Sequence, residues 1–233
     1  MHISYISIFP EIFEGFLNAS LIKKAVDKKL LKFTTLTPRV FCPDRHQQVD
    51  DTIYGGGAGL LMKVKPAIDS VEHLLKLHKL SNKSKRKFRI IFVSPSTEVF
   101  TQKTAHTLTE NQHIIFVCAR YEGIDHRFEE YMMEKYPAHF SKISLGQFVT
   151  LGGELPAMVM TEAVTRLLPG VIKEEASWQF ESYSLDHNMT NIEYPQYTKP
   201  EEVYGYKVPE VMLSGHHKNI NDWRNENMGT LDQ

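Results

Sequence analysis

The chain has 233 residues, 42 % of them apolar and 24 % charged, enough apolar material for a core without disulfide or metal staples. Its 27 Lys and Arg balance 28 Asp and Glu to a formal net charge of −1, which excludes a strongly basic, indiscriminate nucleic-acid binder but leaves room for a local basic patch. Cys42 and Cys118 supply neither a disulfide framework nor a four-thiolate zinc site, and point to reduced thiols in a cytoplasmic protein.

In chain order, Ile3 to Phe9 is β-branched and apolar and stops at Pro10, a strand leading into a helix start. No basic segment precedes it, so it reads as a first strand and not as a signal peptide. No apolar run reaches the about 18 residues that span a bilayer. Glu11 to Lys29 has helical periodicity with a break near Asn18-Ala19-Ser20, and Leu31 to Leu36 is a second strand. Thr37 to Gly59 has turn chemistry throughout. Lys65 to Leu80 is an amphipathic helix, followed by the basic loop Ser81 to Lys87.

Arg89 to Val93 and His113 to Cys118 are continuous apolar strands, ending at Ser94-Pro95-Ser96 and Ala119-Arg120-Tyr121-Glu122-Gly123. Such strands alternating with helices predict an α/β fold with a parallel sheet covered on both faces. Ligands of these sheets collect at the carboxyl ends of the strands, so the loops after Val93 and Cys118 are the first candidates for a site. Ile143 to Thr150 is a short strand or turn, and Ala157 to Leu168 a buried helix closed by Pro169-Gly170. Residues 171–200 are polar and aperiodic, an interdomain linker or functional loop, with an expectation of disorder over 174–190 in the absence of a ligand. Val203 to Met212 reads as extended, and Ser214 to Asn225 as a small helix capped by Ser214.

Two glycine-bearing loops stand out. Tyr54-Gly55-Gly56-Gly57-Ala58-Gly59 fits neither nucleotide-binding fingerprint, and a strained turn competes with phosphate contact. In Leu145 to Gly153, glycines near a strand end leave backbone groups open to a ligand, or simply make a tight connection. Arg120 follows an apolar strand and Arg166 lies on an apolar helix, so each needs a carboxylate or a phosphate as partner. Arg45-His46 and His216-His217-Lys218 carry phosphate-contact chemistry but also suit a solvated surface.

Five segments, in order, carry a resemblance: Ile6-Ser7-Ile8-Phe9-Pro10; Asp44-Arg45-His46 through Val49-Asp50-Asp51 to Tyr54-Gly55-Gly56-Gly57; Arg120-Tyr121-Glu122-Gly123-Ile124-Asp125; Gly152-Gly153-Glu154-Leu155-Pro156-Ala157 with Arg166 and Pro169-Gly170-Val171; and Val208-Pro209-Glu210-Val211 to Leu213-Ser214-Gly215 with Trp223-Arg224. Together they resemble the bacterial tRNA (guanine-N1)-methyltransferase family, TrmD, within the superfamily of knotted (SPOUT) methyltransferases. The resemblance implies a trefoil-knotted methyltransferase domain over 1–172, a linker over 173–199 and a small helical tRNA-binding domain over 200–233. It implies a cytoplasmic homodimer with shared active sites, S-adenosylmethionine as methyl donor, a Mg²⁺ requirement with Glu122 at a proposed ligand position, and methylation of N1 of guanosine 37 in tRNA.

The implied cofactor positions are Ser94, Pro95, Ala119, Tyr121, Glu122, Gly123, Leu145, Gly146, Gln147, Phe148, Val149, Thr150, Gly152, Gly153 and Pro156. The implied RNA contacts are Arg45, His46, Gly55, Ser177, Ser214, His217 and Lys218. Guanine N1 carries a proton at neutral pH, so a general base is required. The family's base is an Asp, and its position falls here on Glu181, with Asp186 as the competing carboxylate; Arg166 matches the cation that faces O6. Ala119 stands where Gly is usual, Gln147 where Asp is usual and His216 where Asn is usual, and the stretch after Trp223-Arg224 is short. Two other readings compete: a non-catalytic knotted RNA-binding protein, and a knotted methyltransferase acting on ribose or another base.

Overall fold

The computed structural model describes residues 1–96, 98–173, 181–184 and 189–230. The first of two units, Met1–Lys173, is built on a five-stranded sheet. Its strands are β1 (His2–Ile6), β2 (Lys32–Leu36), β5 (Phe88–Val93), β6 (His113–Cys118) and β7 (Phe140–Ile143), in the order β2-β1-β6-β5-β7 and all parallel. A small antiparallel hairpin, β3 (Asp50–Thr52) with β4 (Leu60–Met62), lies outside this sheet.

The helices are α1 (Glu14–Leu17), α2 (Ser20–Asp27), α3 (Val64–Leu77), α4 (Gln102–Thr109), α5 (Arg127–Lys135) and α6 (Glu154–Arg166). The expected break in the first helical segment is real: α1 and α2 are separate, and Ser20 takes a left-handed φ of +45°. Alternation along the strands splits the core into two layers. Ile6, Ile90, Phe92, Ile115 and Val117 point to the side covered by Val71, Leu74 and Leu75 of α3 and Phe128 and Met132 of α5. Ile3, Tyr5, Ile91, Ile114 and Phe116 point to the side covered by Ala25 of α2, Ala105 and Leu108 of α4, and Ala157, Met160 and Val164 of α6.

The chain leaves β5 through α4 on one face and leaves β6 through α5 on the other. A crevice therefore opens at the carboxyl ends of β5 and β6, as in other sheets where the strand order reverses.

Four expectations need correction or narrowing. The segment 37–59 is not turn throughout, because it holds a 3₁₀ turn (Pro38–Phe41) and β3. Of the short strand or turn expected over 143–150, the turn is what forms: the strand, β7, ends at Ile143, and the residues after it form a loop. The stretch 203–212 is not one extended segment. β9 (Glu202–Val203) turns at Tyr204-Gly205 and pairs with β10 (Tyr206–Lys207), and α7 (Glu210–Leu213) follows. Finally, Ser214 does not cap the last helix. It closes α7, donating to the Val211 carbonyl at 2.7 Å, and His216 precedes α8 (His217–Glu226).

The second unit, Glu174–Gln233, holds these elements together with a two-stranded ladder of β8 (Asn191–Ile192) and β11 (Gly229–Thr230). Among the described residues, no helix is long and apolar enough to cross a membrane.

Candidate functional site: a cleft at the strand ends

The crevice of the first unit is a cleft of about 260 Å³, near the lower end of the range of small-molecule sites, which starts at about 300 Å³. Its floor is the ends of three strands: Val93 with Ser94 and Pro95, Ala119 with Tyr121 to Gly123, and Ile143 to Leu145. The loop Phe148 to Gly153 and Pro156 of α6 form the remaining wall. Every implied cofactor position lines this cleft except Gly146 and Gln147. Val93, Ile143, Ser144 and Leu151 line it too, without having been singled out.

The 145–153 loop is held at its base and open at its tip. The Ser144 hydroxyl donates to the Gly146 carbonyl at 2.9 Å and accepts from the Gly146 amide at 3.1 Å. At the other end, Gly153 donates its amide to the Ala119 carbonyl at 3.0 Å. Between them, the amides of Leu145, Phe148, Val149, Thr150 and Leu151 have no hydrogen-bond partner among the described residues. Phe148, Val149 and Leu151 are exposed.

A buried ion pair supports the other wall. Glu154, 1 % exposed at the start of α6, accepts from the Ser7 hydroxyl at 2.6 Å and from Arg120 Nε at 2.9 Å. The Arg120 guanidinium also lies 5.0 Å from the centre of the Phe9 ring. Arg120 thus has a carboxylate partner, which ties the loop after β6 to α6 and to the end of β1. Gly152 is required here, since a Cβ on it falls 2.3 Å from Arg120 Nε. Sequence reading missed Ser7 and Glu154 as members of this network; an acid opening an apolar helix was the available signal.

The hairpin β3–β4 forms the outer support. Glu122 donates its amide to the Leu60 carbonyl at 3.0 Å, and Met62 donates to the Gly123 carbonyl at 2.9 Å. Gly59 has φ +89°, and a Cβ there meets the Glu122 side chain at 2.6 Å. That decides one part of the glycine-rich loop: Gly59 is there for close packing against Glu122. Gly55, also at positive φ, has open space around it. Arg45 and His46 are exposed in the preceding loop, where the Asp44 carboxylate accepts from the His46 and Gln48 amides. Those backbone hydrogen bonds hold the Asp44 carboxyl below its ordinary value.

Arg166 does not line this cleft. It ends α6, about 18 Å along the helix axis from Glu154, and borders a second, largely apolar recess with Phe16, Leu21, Ile22 and Val171. Glu181 belongs to the second unit, where its carbonyl accepts from Asn191 Nδ2 at 2.9 Å. Ser214, His217 and Lys218 are exposed around the start of α8. Ser177 and Asp186 lie outside the described residues, as does most of the stretch expected to be disordered, 174–190.

The basic loop 81–87 sits at the amino end of β5, opposite the cleft. There Lys87 pairs with Glu110 at 2.8 Å, so part of its charge is already matched. Cys118 is buried, and burial pushes its thiol well above the ordinary value, with Glu154 adding to the effect. Cys42 is also free. Glu122 belongs, among the described residues, to no group of three or more His, Cys, Asp or Glu atoms placed to share an ion.

The family model for tRNA (Guanine-1)-methyltransferase TrmD matches residues 1–230. The tRNA (guanine-N(1)-)-methyltransferase of Bacillus velezensis is 42 % identical over 226 residues, 97 % of this chain and 86 % of that protein. The protein of the same name from Bacillus subtilis strain 168 gives the same identity and coverage. That of Staphylococcus epidermidis strain RP62A is 41 % identical over 226 residues, 97 % of this chain and 85 % of the relative. With the match running through both units, the chain belongs to the tRNA (guanine-1)-methyltransferase TrmD family.

Proposed function

We propose that this chain is an S-adenosylmethionine-dependent tRNA (guanine-N1)-methyltransferase of the cytoplasm, acting on the guanosine 3′ to the anticodon. The observation that carries the reading is the cleft at the ends of β5, β6 and β7, lined by the loops that hold the family's motifs. The relatives' names favour base methylation over ribose methylation and over a non-catalytic role.

The cleft suits S-adenosylmethionine on its own chemistry. Leu145, Phe148 and Pro156 offer apolar contact to a purine, and the amides of Leu145 and of Phe148 to Leu151 offer donors to its nitrogens and to ribose. The threading of the chain here is proposed to be the family's trefoil knot. When bound, the cofactor supplies an electrophilic methyl group on a sulfonium.

The protein's own task is to make guanine N1 nucleophilic. The Glu181 carboxylate takes the N1 proton, and the N1 lone pair forms the new N–CH₃ bond as the carbon–sulfur bond breaks toward sulfur. Negative charge that develops on O6 during deprotonation is met by the Arg166 guanidinium. Arg45, His46, Gly55, Ser177, Ser214, His217 and Lys218 are proposed to hold the RNA.

This assignment requires a second copy of the chain. Arg166 stands about 15 Å along α6 from Pro156 in the cleft wall of its own chain, too far to reach the same guanine. An exposed apolar surface is available for pairing: Leu151, Val149 and Leu155 are 90 %, 84 % and 63 % exposed, with half-exposed Val159 one helical turn beyond Leu155. The proposed unit is a homodimer in which each cleft takes Arg166 from the partner.

Methyl transfer onto a tRNA transcript with G at positions 36 and 37, against one with G37 replaced, tests the function. Transfer to the first alone is expected, and no transfer to either overturns the reading.

A further inference from the structure

Three histidines meet at the end of the sheet opposite the cleft, where the proposed reaction has no use for them. His2 opens β1, His113 opens β6 in register beside it, and His78 follows the last residue of α3. The His2 and His113 rings stack with centres 4.5 Å apart and 6° between planes. His78 stands edge-on to both, at 4.3 and 4.5 Å. One nitrogen from each ring lies within 4.8 Å of the other two.

The polar groups around them leave one gap. His2 Nε2 is 2.8 Å from the Thr34 hydroxyl, and His113 Nε2 is 2.8 Å from the Ser4 hydroxyl. His78 Nε2 is buried with no hydrogen-bond partner. Buried polar atoms are nearly always satisfied, so this nitrogen calls for a ligand. Burial, helped by neighbouring cations, pushes His2 down to about 4 and His113 down to about 3, so the rings are neutral at pH 7.

We propose that His2, His78 and His113 form a site for a divalent transition ion of the zinc type, held by one nitrogen of each ring and completed by solvent. Imidazole suits zinc, copper and nickel, and three histidines with one water form a known zinc set. The tautomer in which Nε2 of His2 and of His113 donates to these hydroxyls leaves Nδ1 of each with the free lone pair, and Thr34 and Ser4 orient the rings. Metal–nitrogen distances of 2.0–2.1 Å place tetrahedral ligands about 3.4 Å apart, so the nitrogens must close by up to about 1.4 Å and the stacked His2 and His113 rings must tilt to aim their in-plane lone pairs at one point. His2 and His78 sit at element ends and are only half buried, which allows that movement. Lys32, the N-terminal amine, Arg86 and His73 face the cluster and oppose a cation, so binding is weaker than in a site with a carboxylate. The ion would pin the end of α3 to the edges of β1 and β6, about 17 Å along β6 from the cleft.

The test uses the full chain, stripped with a chelator. Zinc chloride is titrated by calorimetry, and cobalt(II) is read by visible absorption. The expected result is one equivalent per chain, a tetrahedral cobalt band and a Tm that rises with zinc. His78→Ala and His2→Ala should each lose all three signals, while the surface variant His126→Ala keeps them. Ser4→Ala and Thr34→Val should weaken binding by roughly 10–100-fold. Zinc uptake by His78→Ala equal to that of the wild type overturns the site, as does the absence of uptake by the wild type.

Discussion

At the scale of single residues, the site depends on charges whose partners are fixed. Glu154 is buried against Ser7 and Arg120, and removing it leaves the guanidinium without its carboxylate in a largely desolvated place. Breaking such a pair by removing one partner costs about 3–5 kcal/mol. Glu154→Ala is therefore expected to lower the unfolding free energy by that amount in a urea titration, and to weaken cofactor binding because Arg120 lies between the cleft residues Ala119 and Tyr121. Glu181→Gln is expected to behave in the opposite way. Stability and cofactor affinity should hold while kcat falls roughly 10²–10⁴-fold, the range for loss of a general base. A kcat near wild type would move the base elsewhere, with Asp186 the next carboxylate to substitute. Sequence pattern could nominate Arg120 as a residue in need of a partner. It could not say which acid supplies it, because Glu154 is distant along the chain and only the packing of α6 beside β6 joins them.

At the scale of elements, what was legible depended on whether an element's own residues determine it. The buried strands β5 and β6 are apolar apart from Arg89 and His113 near their starts, so their carboxyl ends, and with them the cleft, could be placed from pattern alone. The hairpin could not, since β3 is Asp50-Asp51-Thr52, a poor strand former held by pairing with β4. The three-histidine cluster was equally hidden: positions 2, 78 and 113 meet only through the β1–β6 register and the end of α3. The contact between α3 and α5 carries a pH prediction. Glu72 of α3 accepts hydrogen bonds from Tyr131, Lys135 and Tyr136, each at 2.9 Å. Burial alone pushes its carboxyl up, but the three hydrogen bonds outweigh burial and hold it below the ordinary value. A depressed carboxyl contributes stability above its unfolded pKa and loses it as pH falls through the folded one. Glu72→Gln should cost about 1 kcal/mol at neutral pH, given the partial exposure of the pair, with the gap to wild type closing as pH falls below the ordinary carboxylate range. A gap that stays constant down to pH 3 would exclude the ionised carboxylate as its source.

At the scale of the whole molecule, near-zero net charge is consistent with the proposed split active site. A balanced chain cannot hold RNA by bulk charge, and its basic loop at 81–87 sits at the end of the sheet away from the cleft, partly neutralised by Glu110. In the proposed dimer, recognition comes from shape and from groups assembled by pairing two chains. That arrangement can be tested by complementation. Arg166→Ala keeps its cleft but cannot serve its partner. Gly153→Val keeps Arg166 but loses its cleft, because even a Cβ at Gly153 meets Cys118 Cα at 2.8 Å. Each homodimer should be inactive. After mixing, unfolding and refolding together, half of the dimers are mixed and one of their two sites pairs an intact cleft with an intact Arg166, so activity should return to about a quarter of wild type. If the mixture stays inactive while sedimentation shows mixed dimers and each variant alone is folded by circular dichroism, cleft and Arg166 come from the same chain. The α6 surface adds a control: Val159→Asp places a charge on the exposed apolar face beside Leu155 and should shift the protein toward monomer, abolishing transfer while leaving cofactor binding within a few-fold of wild type.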